Sequence, residues 1–297
     1  MSHPAVAVPI AGARTTLADL VALGKPQVSF MVFVTALGGM WLSPMPLRLG
    51  PSLFALFSIT LVIYGANALN MYLERDVDGL MARTRNRPLP AGRMAPETAL
   101  RAGLAASVLA VGLLTFGVNP LTGFLAAISL VLYVLVYTPW KRRSTLALLI
   151  GAIPGAAPPL LGWTAATGRI DPAGLSLFFI LFVWQIPHFL AISIFRRDDY
   201  VRAGLKIMPG VRGIAATKAR IVLYAALLGV TTLPAYATGL SSPWYLTVAV
   251  PVSLAFLLLA MSGLRPGVDD LRWSRRVFFA TLLHLPLILG ALACFRR

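Results

Sequence analysis

The chain has 297 residues, 58% of them hydrophobic and only 12% charged, with a mean hydropathy of +0.80; a soluble domain carries about 25% charged residues, so that class is excluded. Its 26 Lys and Arg outnumber its 10 Asp and Glu, giving a formal net charge of +16. Such an excess raises the question of a nucleic-acid partner, but the basic residues gather between apolar segments with no aromatic-studded basic stretch, and no nucleic acid is expected.

Crossing a bilayer takes roughly 20 mostly apolar residues in a helix, because every backbone N–H and C=O must be paired internally. Nine stretches qualify, at 26–45, 51–73, 98–117, 120–139, 145–165, 173–195, 217–238, 243–264 and 275–294. The expected class is all-α: a polytopic membrane helix bundle of nine transmembrane helices around a central cavity. Residues 1–25 form an N-terminal lead and residues 26–297 a single transmembrane domain. The lead holds Asp19 and Lys25, and no small-residue cleavage site follows a short apolar core, so it does not read as a signal peptide and should remain attached. The single cysteine, Cys294, excludes an internal disulfide and reads as packing.

If the nine stretches alternate across the membrane, all Lys and Arg except Arg48, Arg169, Arg296 and Arg297 fall on one side. The positive-inside rule makes that side, and the N-terminus, cytoplasmic. Two unusual loops, at 74–97 and 196–216, share it.

The first lies largely within "NMYLERDVDGLMARTRNRPLPAGR" at 70–93. Asn70, Glu74 and Asp78 recur every four residues, so on a continuing helix each lags the last by about 40° and the three share one stripe. Their oxygens suit a hard cation such as Mg²⁺, which binds through one or two carboxylates together with substrate phosphates. Arg83, Arg85, Arg87 and Arg93 would meet those phosphates. A solvated cap of mutual salt bridges explains a single loop of this kind equally well. The second loop shifts the balance: "FRRDDYVRAGLKIMPG" sets Asp198 and Asp199 among Arg196, Arg197, Arg202 and Lys206, and two mixed-charge patches on one side suggest a bipartite diphosphate site.

Asn70-x-x-x-Glu74-x-x-x-Asp78 followed by "RTRNRPLPAGR" resembles the first signature of the UbiA-type intramembrane prenyltransferases. That resemblance implies nine helices and a Mg²⁺-bound prenyl diphosphate. "PPLLGWTAATG" at 158–168, "WQIPHF" at 184–189 and "DDYVRAGLKIMPG" at 198–210 resemble the heme-farnesylating members of the family. The sequence departs from the family pattern at Glu74, where many relatives have Asp, and at Lys206, Ile207 and Ala147.

The resemblance implies transfer of farnesyl from farnesyl diphosphate to a vinyl group of heme b, with water addition, in a bacterial-type inner membrane. It further implies Mg²⁺ on Asn70, Glu74, Asp78, Asp198 and Asp199. Substrate binding would fall to Arg83, Arg87, Arg93, Lys141, Arg142, His188, Tyr200 and Lys206. A heme A synthase or a terminal-oxidase assembly factor is the expected protein partner. Tyr72, Tyr137, Trp163 and Phe189 are candidates to face an allylic cation, against ordinary packing for each.

His188, inside the sixth span, either handles heme or bonds to a neighbouring helix. The Pro- and Gly-rich "GAIPGAAPPLLG" at 151–162 either shapes the cavity or packs closely. Two rivals remain: prenylation of a quinone or chlorophyll precursor, which "WQIPHF" disfavours, and a secondary transporter, which would place charges deep in the spans.

Overall fold

The computed structural model describes residues 15–297. In chain order the helices are α1 (Leu17–Leu23), α2 (Pro26–Leu42), α3 (Leu49–Asp78), α4 (Pro96–Gly117), α5 (Pro120–Val131), a π-helical segment (Leu132–Tyr137) and α6 (Thr138–Trp140). They continue with α7 (Ala147–Thr167), α8 (Pro172–Phe195), α9 (Arg197–Arg202), α10 (Met208–Val211), α11 (Gly213–Ala237), α12 (Trp244–Ser262) and α13 (Asp270–Cys294). Among the described residues, 8 helices are long and apolar enough to cross a membrane, and the pair α1–α2, bent by 52°, makes a ninth. The expected bundle is therefore present. Of the expected lead, residues 1–14 lie outside the described residues, and the rest contains α1.

Local chemistry sets the helix ends. Proline opens α2, α4, α5 and α8, where its missing N–H costs nothing. Asn119, Asp171 and Asp269 accept from backbone N–H groups as N-caps. Gly168 ends α7 at φ +68°, a conformation that favours glycine. Thr16 and Asp19 form a reciprocal capping box on α1.

Helices α2 to α5 form one half of the bundle and α8, α11, α12 and α13 the other, with α7 packed against α2, α5 and α8 between them. The proline-rich stretch of α7 stays helical through Pro154, Pro158 and Pro159. Small residues let it approach α2: a Cβ on Gly39 would overlap the Pro159 carbonyl, and one on Gly162 the Ala36 carbonyl. Close packing is thus the role of that segment. Large apolar side chains such as Phe116 and Leu283 point outward, as expected of a surface that meets lipid.

Candidate functional site

Helix α3 runs 30 residues and does not stop where its apolar stretch does. It continues to Asp78, so Asn70, Glu74 and Asp78 ride the last two turns as one stripe and are 2%, 3% and 1% exposed. A charged carboxylate so buried must be paired. Each member of the stripe meets a cation from a different part of the chain. Lys25 Nζ donates to Asn70 Oδ1 at 2.8 Å. Lys141 ion-pairs with Glu74, and Arg87 donates to Asp78 Oδ2 at 2.6 Å.

Lys25 was not among the expected site residues. It sits at the elbow between α1 and α2 with φ +49°, the sole non-glycine residue with positive φ among the described residues. The elbow is fastened to α3 by Asn67, which donates to the Gly24 carbonyl at 3.0 Å, and by Tyr64, whose hydroxyl donates to the Leu20 carbonyl at 3.0 Å. Glu74, Asp78, Arg87 and Lys141 all lie within electrostatic range of its ammonium.

The π-helical turn was not foreseen either. It brings Tyr133 and Tyr137 into a stack with centroids 5.6 Å apart, within electrostatic range of Glu74. It also aims the Thr138 hydroxyl, which donates to the Tyr133 carbonyl and accepts from Asn70 Nδ2 at 3.1 Å. Lys141 follows one turn later, its ammonium 5.9 Å from the Tyr137 ring. Widened turns of this kind recur at functional sites because they re-aim side chains.

The second loop meets the first through apolar contacts. Ala203 and Leu205 bury against Val77 and Met81, with Tyr200 and Ile207 alongside. The Lys206 N–H donates to the Lys141 carbonyl at 3.1 Å, tying this loop to the one after α6.

The acids of the second loop do not join the stripe. Asp198 is exposed, and Asp199 pairs with Arg202 at 2.7 Å and Arg196 at 3.9 Å. Among the described residues no three His, Cys, Asp or Glu side chains stand together as a metal site. In this structure the five expected ligands are therefore not gathered on one point: near cations take up Glu74, Asp78 and Asp199 separately. Arg93 is likewise spent elsewhere, donating to Asp19 at 2.9 Å and to the Asn86 carbonyl at 3.1 Å, which anchors α1. Arg83, Arg142 and Lys206 are exposed at the same end of the bundle.

His188 lies in the other half. Its Nδ1 is 2.7 Å from Thr281 Oγ1 on α13, and its ring stacks on Trp184 with centroids 4.8 Å apart, so the bond to a neighbouring helix is the arrangement present. Trp163 is buried in the core with Leu42 and Leu177, Phe189 faces outward and Tyr72 lies under Arg75, which leaves Tyr137 as the aromatic candidate at the stripe.

The donor set still fits Mg²⁺. Glu74, Asp78 and the Asn70 carbonyl are hard oxygens on one stripe, and Glu74 Oε1 is buried with no well-aligned hydrogen bond even with Lys141 against it. Two carboxylates suffice where a substrate phosphate completes the shell.

A family model described as the UbiA prenyltransferase family matches residues 32–283. The chain belongs to that family. The protoheme IX farnesyltransferase of Sorangium cellulosum is 51% identical to this UbiA member over 277 residues, covering 88% of this chain and 99% of the relative. That of Myxococcus xanthus is 44% identical over 280 residues, covering 94% and 95%. A UbiA homolog from Archaeoglobus fulgidus, solved bound to GPP and Mg²⁺, superposes with a TM-score of 0.64 at 14% identity, covering 92% of this chain and 99% of that one. An apo UbiA homolog from Aeropyrum pernix K1 gives 0.64 at 21%, covering 90% and 96%. At these identities the two structures speak for a shared fold.

Proposed function

We propose that this enzyme transfers the farnesyl group of farnesyl diphosphate to a vinyl group of heme b, with addition of water, giving heme O and diphosphate. The observation that carries the reading is the buried stripe Asn70–Glu74–Asp78 with its three cations, in a chain close in sequence to protoheme IX farnesyltransferases. Three cations against two carboxylates leave one net positive charge, and a diphosphate with a divalent ion adds an opposite excess of similar size.

Lys25, Arg87 and Lys141 bind the diphosphate oxygens and take up the charge that grows on them as the C1–O bond breaks with its electron pair. Glu74, Asp78 and Asn70 would hold Mg²⁺, which neutralises the leaving group. Tyr133 and Tyr137 present ring faces to the allylic cation. Water must be kept from that cation until the heme vinyl group attacks it. The terminal vinyl carbon bonds to C1, the adjacent carbon becomes cationic, and water adds there and sheds a proton.

Residues 26–297, together with Lys25 and the helix α1 before it, form one catalytic unit in a bacterial-type cytoplasmic membrane, with the loops at 74–97 and 196–216 on the cytoplasmic side. A heme A synthase or a terminal-oxidase assembly factor would accept the product. The test incubates membranes containing the enzyme with heme b, farnesyl diphosphate and Mg²⁺ and looks for farnesylated heme by mass spectrometry. Prenylated product from quinone precursors, with none from heme, would overturn the reading.

A further inference from the structure

One crevice at the loop end of the bundle is not used by the diphosphate site. It has a volume of about 160 Å³ and lies between the turn at 144–149 and helices α8, α10 and α11. Arg212 and Arg220 line it with the hydroxyl-bearing Ser144 and Tyr224 and the apolar Leu149 and Ile186. Among the described residues neither arginine has a carboxylate partner, whereas Arg87, Lys141 and Lys218 do. Both arginines line one half-apolar crevice, so an anion held there would meet two positive charges. Each presents a planar fork that matches a carboxylate.

The crevice adjoins the reacting end of the site. Ser144 follows Lys141 by three residues, so their Cα atoms are at most about 11 Å apart. On the other side, Met208 of the lining follows Lys206, whose N–H bonds the Lys141 carbonyl. Heme b carries two propionate carboxylates on the edge opposite its vinyl groups. The crevice is smaller than a pocket for a whole drug-sized ligand, roughly 300–1,000 Å³, but matches one edge of such a molecule.

We propose that Arg212 and Arg220 bind the two carboxylates of the heme substrate, with the porphyrin edge against Leu149 and Ile186, so that the vinyl edge is presented toward the Glu74–Lys141 pair. The assignment rests on the heme reading given above. It makes Arg212 and Arg220 specificity determinants for a dianionic macrocycle, separate from the groups that hold the diphosphate. An anionic phospholipid headgroup offers the same charge chemistry, and the experiment separates the two.

Arg212→Gln, Arg220→Gln and the double variant of the full chain are compared with wild type in nanodiscs of phosphatidylcholine and of phosphatidylglycerol, with heme b or heme b dimethyl ester as acceptor. Each single substitution removes a charge-assisted bond and should raise the KM for heme b about tenfold, leaving kcat and the KM for farnesyl diphosphate nearly unchanged. The neutral dimethyl ester should react with a high KM that the substitutions do not alter. An unchanged KM for heme b, an equal loss on the ester, or a raised KM for farnesyl diphosphate would overturn the assignment. So would wild-type turnover that requires phosphatidylglycerol and loses that requirement in the variants, which marks a lipid site. Failure of the heme reading itself has another signature, since wild type would then neither bind nor convert heme b.

Discussion

Lys141→Met separates the structural from the chemical role of the stripe. The side chains of Lys141 and Glu74 are 19% and 3% exposed, so removing the ammonium strands a buried carboxylate on α3. Breaking a buried pair costs about 3–5 kcal/mol, and the partial exposure of Lys141 places this one near about 3 kcal/mol. Adding Glu74→Gln removes the stranded charge and should return most of that stability, seen as recovery of the apparent Tm in detergent. Turnover should not recover, because the double variant has lost both a cation and a carboxylate at the leaving group. Losing one such electrostatic contact lowers kcat by about 10²–10³-fold. A double variant with near wild-type kcat would reduce the pair to a structural salt bridge, and Lys141→Met with an unchanged Tm would refute the burial argument.

Chelating divalent ions with EDTA should stop farnesyl transfer and adding Mg²⁺ should restore it; turnover that persists through chelation would exclude metal on Glu74 and Asp78. Gly162→Ala pushes a methyl group into the Ala36 carbonyl of α2. It should cost about 1–3 kcal/mol and lower the apparent Tm, whereas Gly38→Ala, which meets nothing within 4 Å, should leave it in place. Arg93→Ala should speed amide exchange in α1, because it releases the buried Asp19, while transfer continues. A higher KM for farnesyl diphosphate with α1 exchange unchanged would instead make Arg93 a diphosphate ligand.

The bundle was legible because a bilayer demands long apolar runs, and all but the first expected span match helices that qualify on their own. The first does so only together with α1, since a glycine and a proline at 24 and 26 break the path into two short helices. The stripe was legible from its spacing of four, but the partners of its members were not. Lys25 lies 45 residues before Asn70 and reaches it through a left-handed backbone at the elbow. The only local signal was "GKP", which marks a helix stop and start but not what the lysine faces.

Charge counting also could not say which acid meets which base. Asp199 is three residues from both Arg196 and Arg202 on one short helical turn, and that proximity takes its oxygens. The same limit applies to Arg93, which the sequence groups with Arg83, Arg85 and Arg87 and which the fold assigns to Asp19. Tyr133 and Thr138 were invisible because an ordinary helical repeat through 132–137 gives them other directions.

That widened turn sets the direction of every side chain that follows it toward the stripe. Tightening Leu132–Tyr137 to the usual helical repeat without removing a residue would rotate everything downstream by about 100°. Thr138 would swing off Asn70 and Lys141 off Glu74 together, although every side chain of the stripe remained. A substitution that favours the ordinary repeat across this stretch, with the residue count kept, would thus dismantle the centre from a distance.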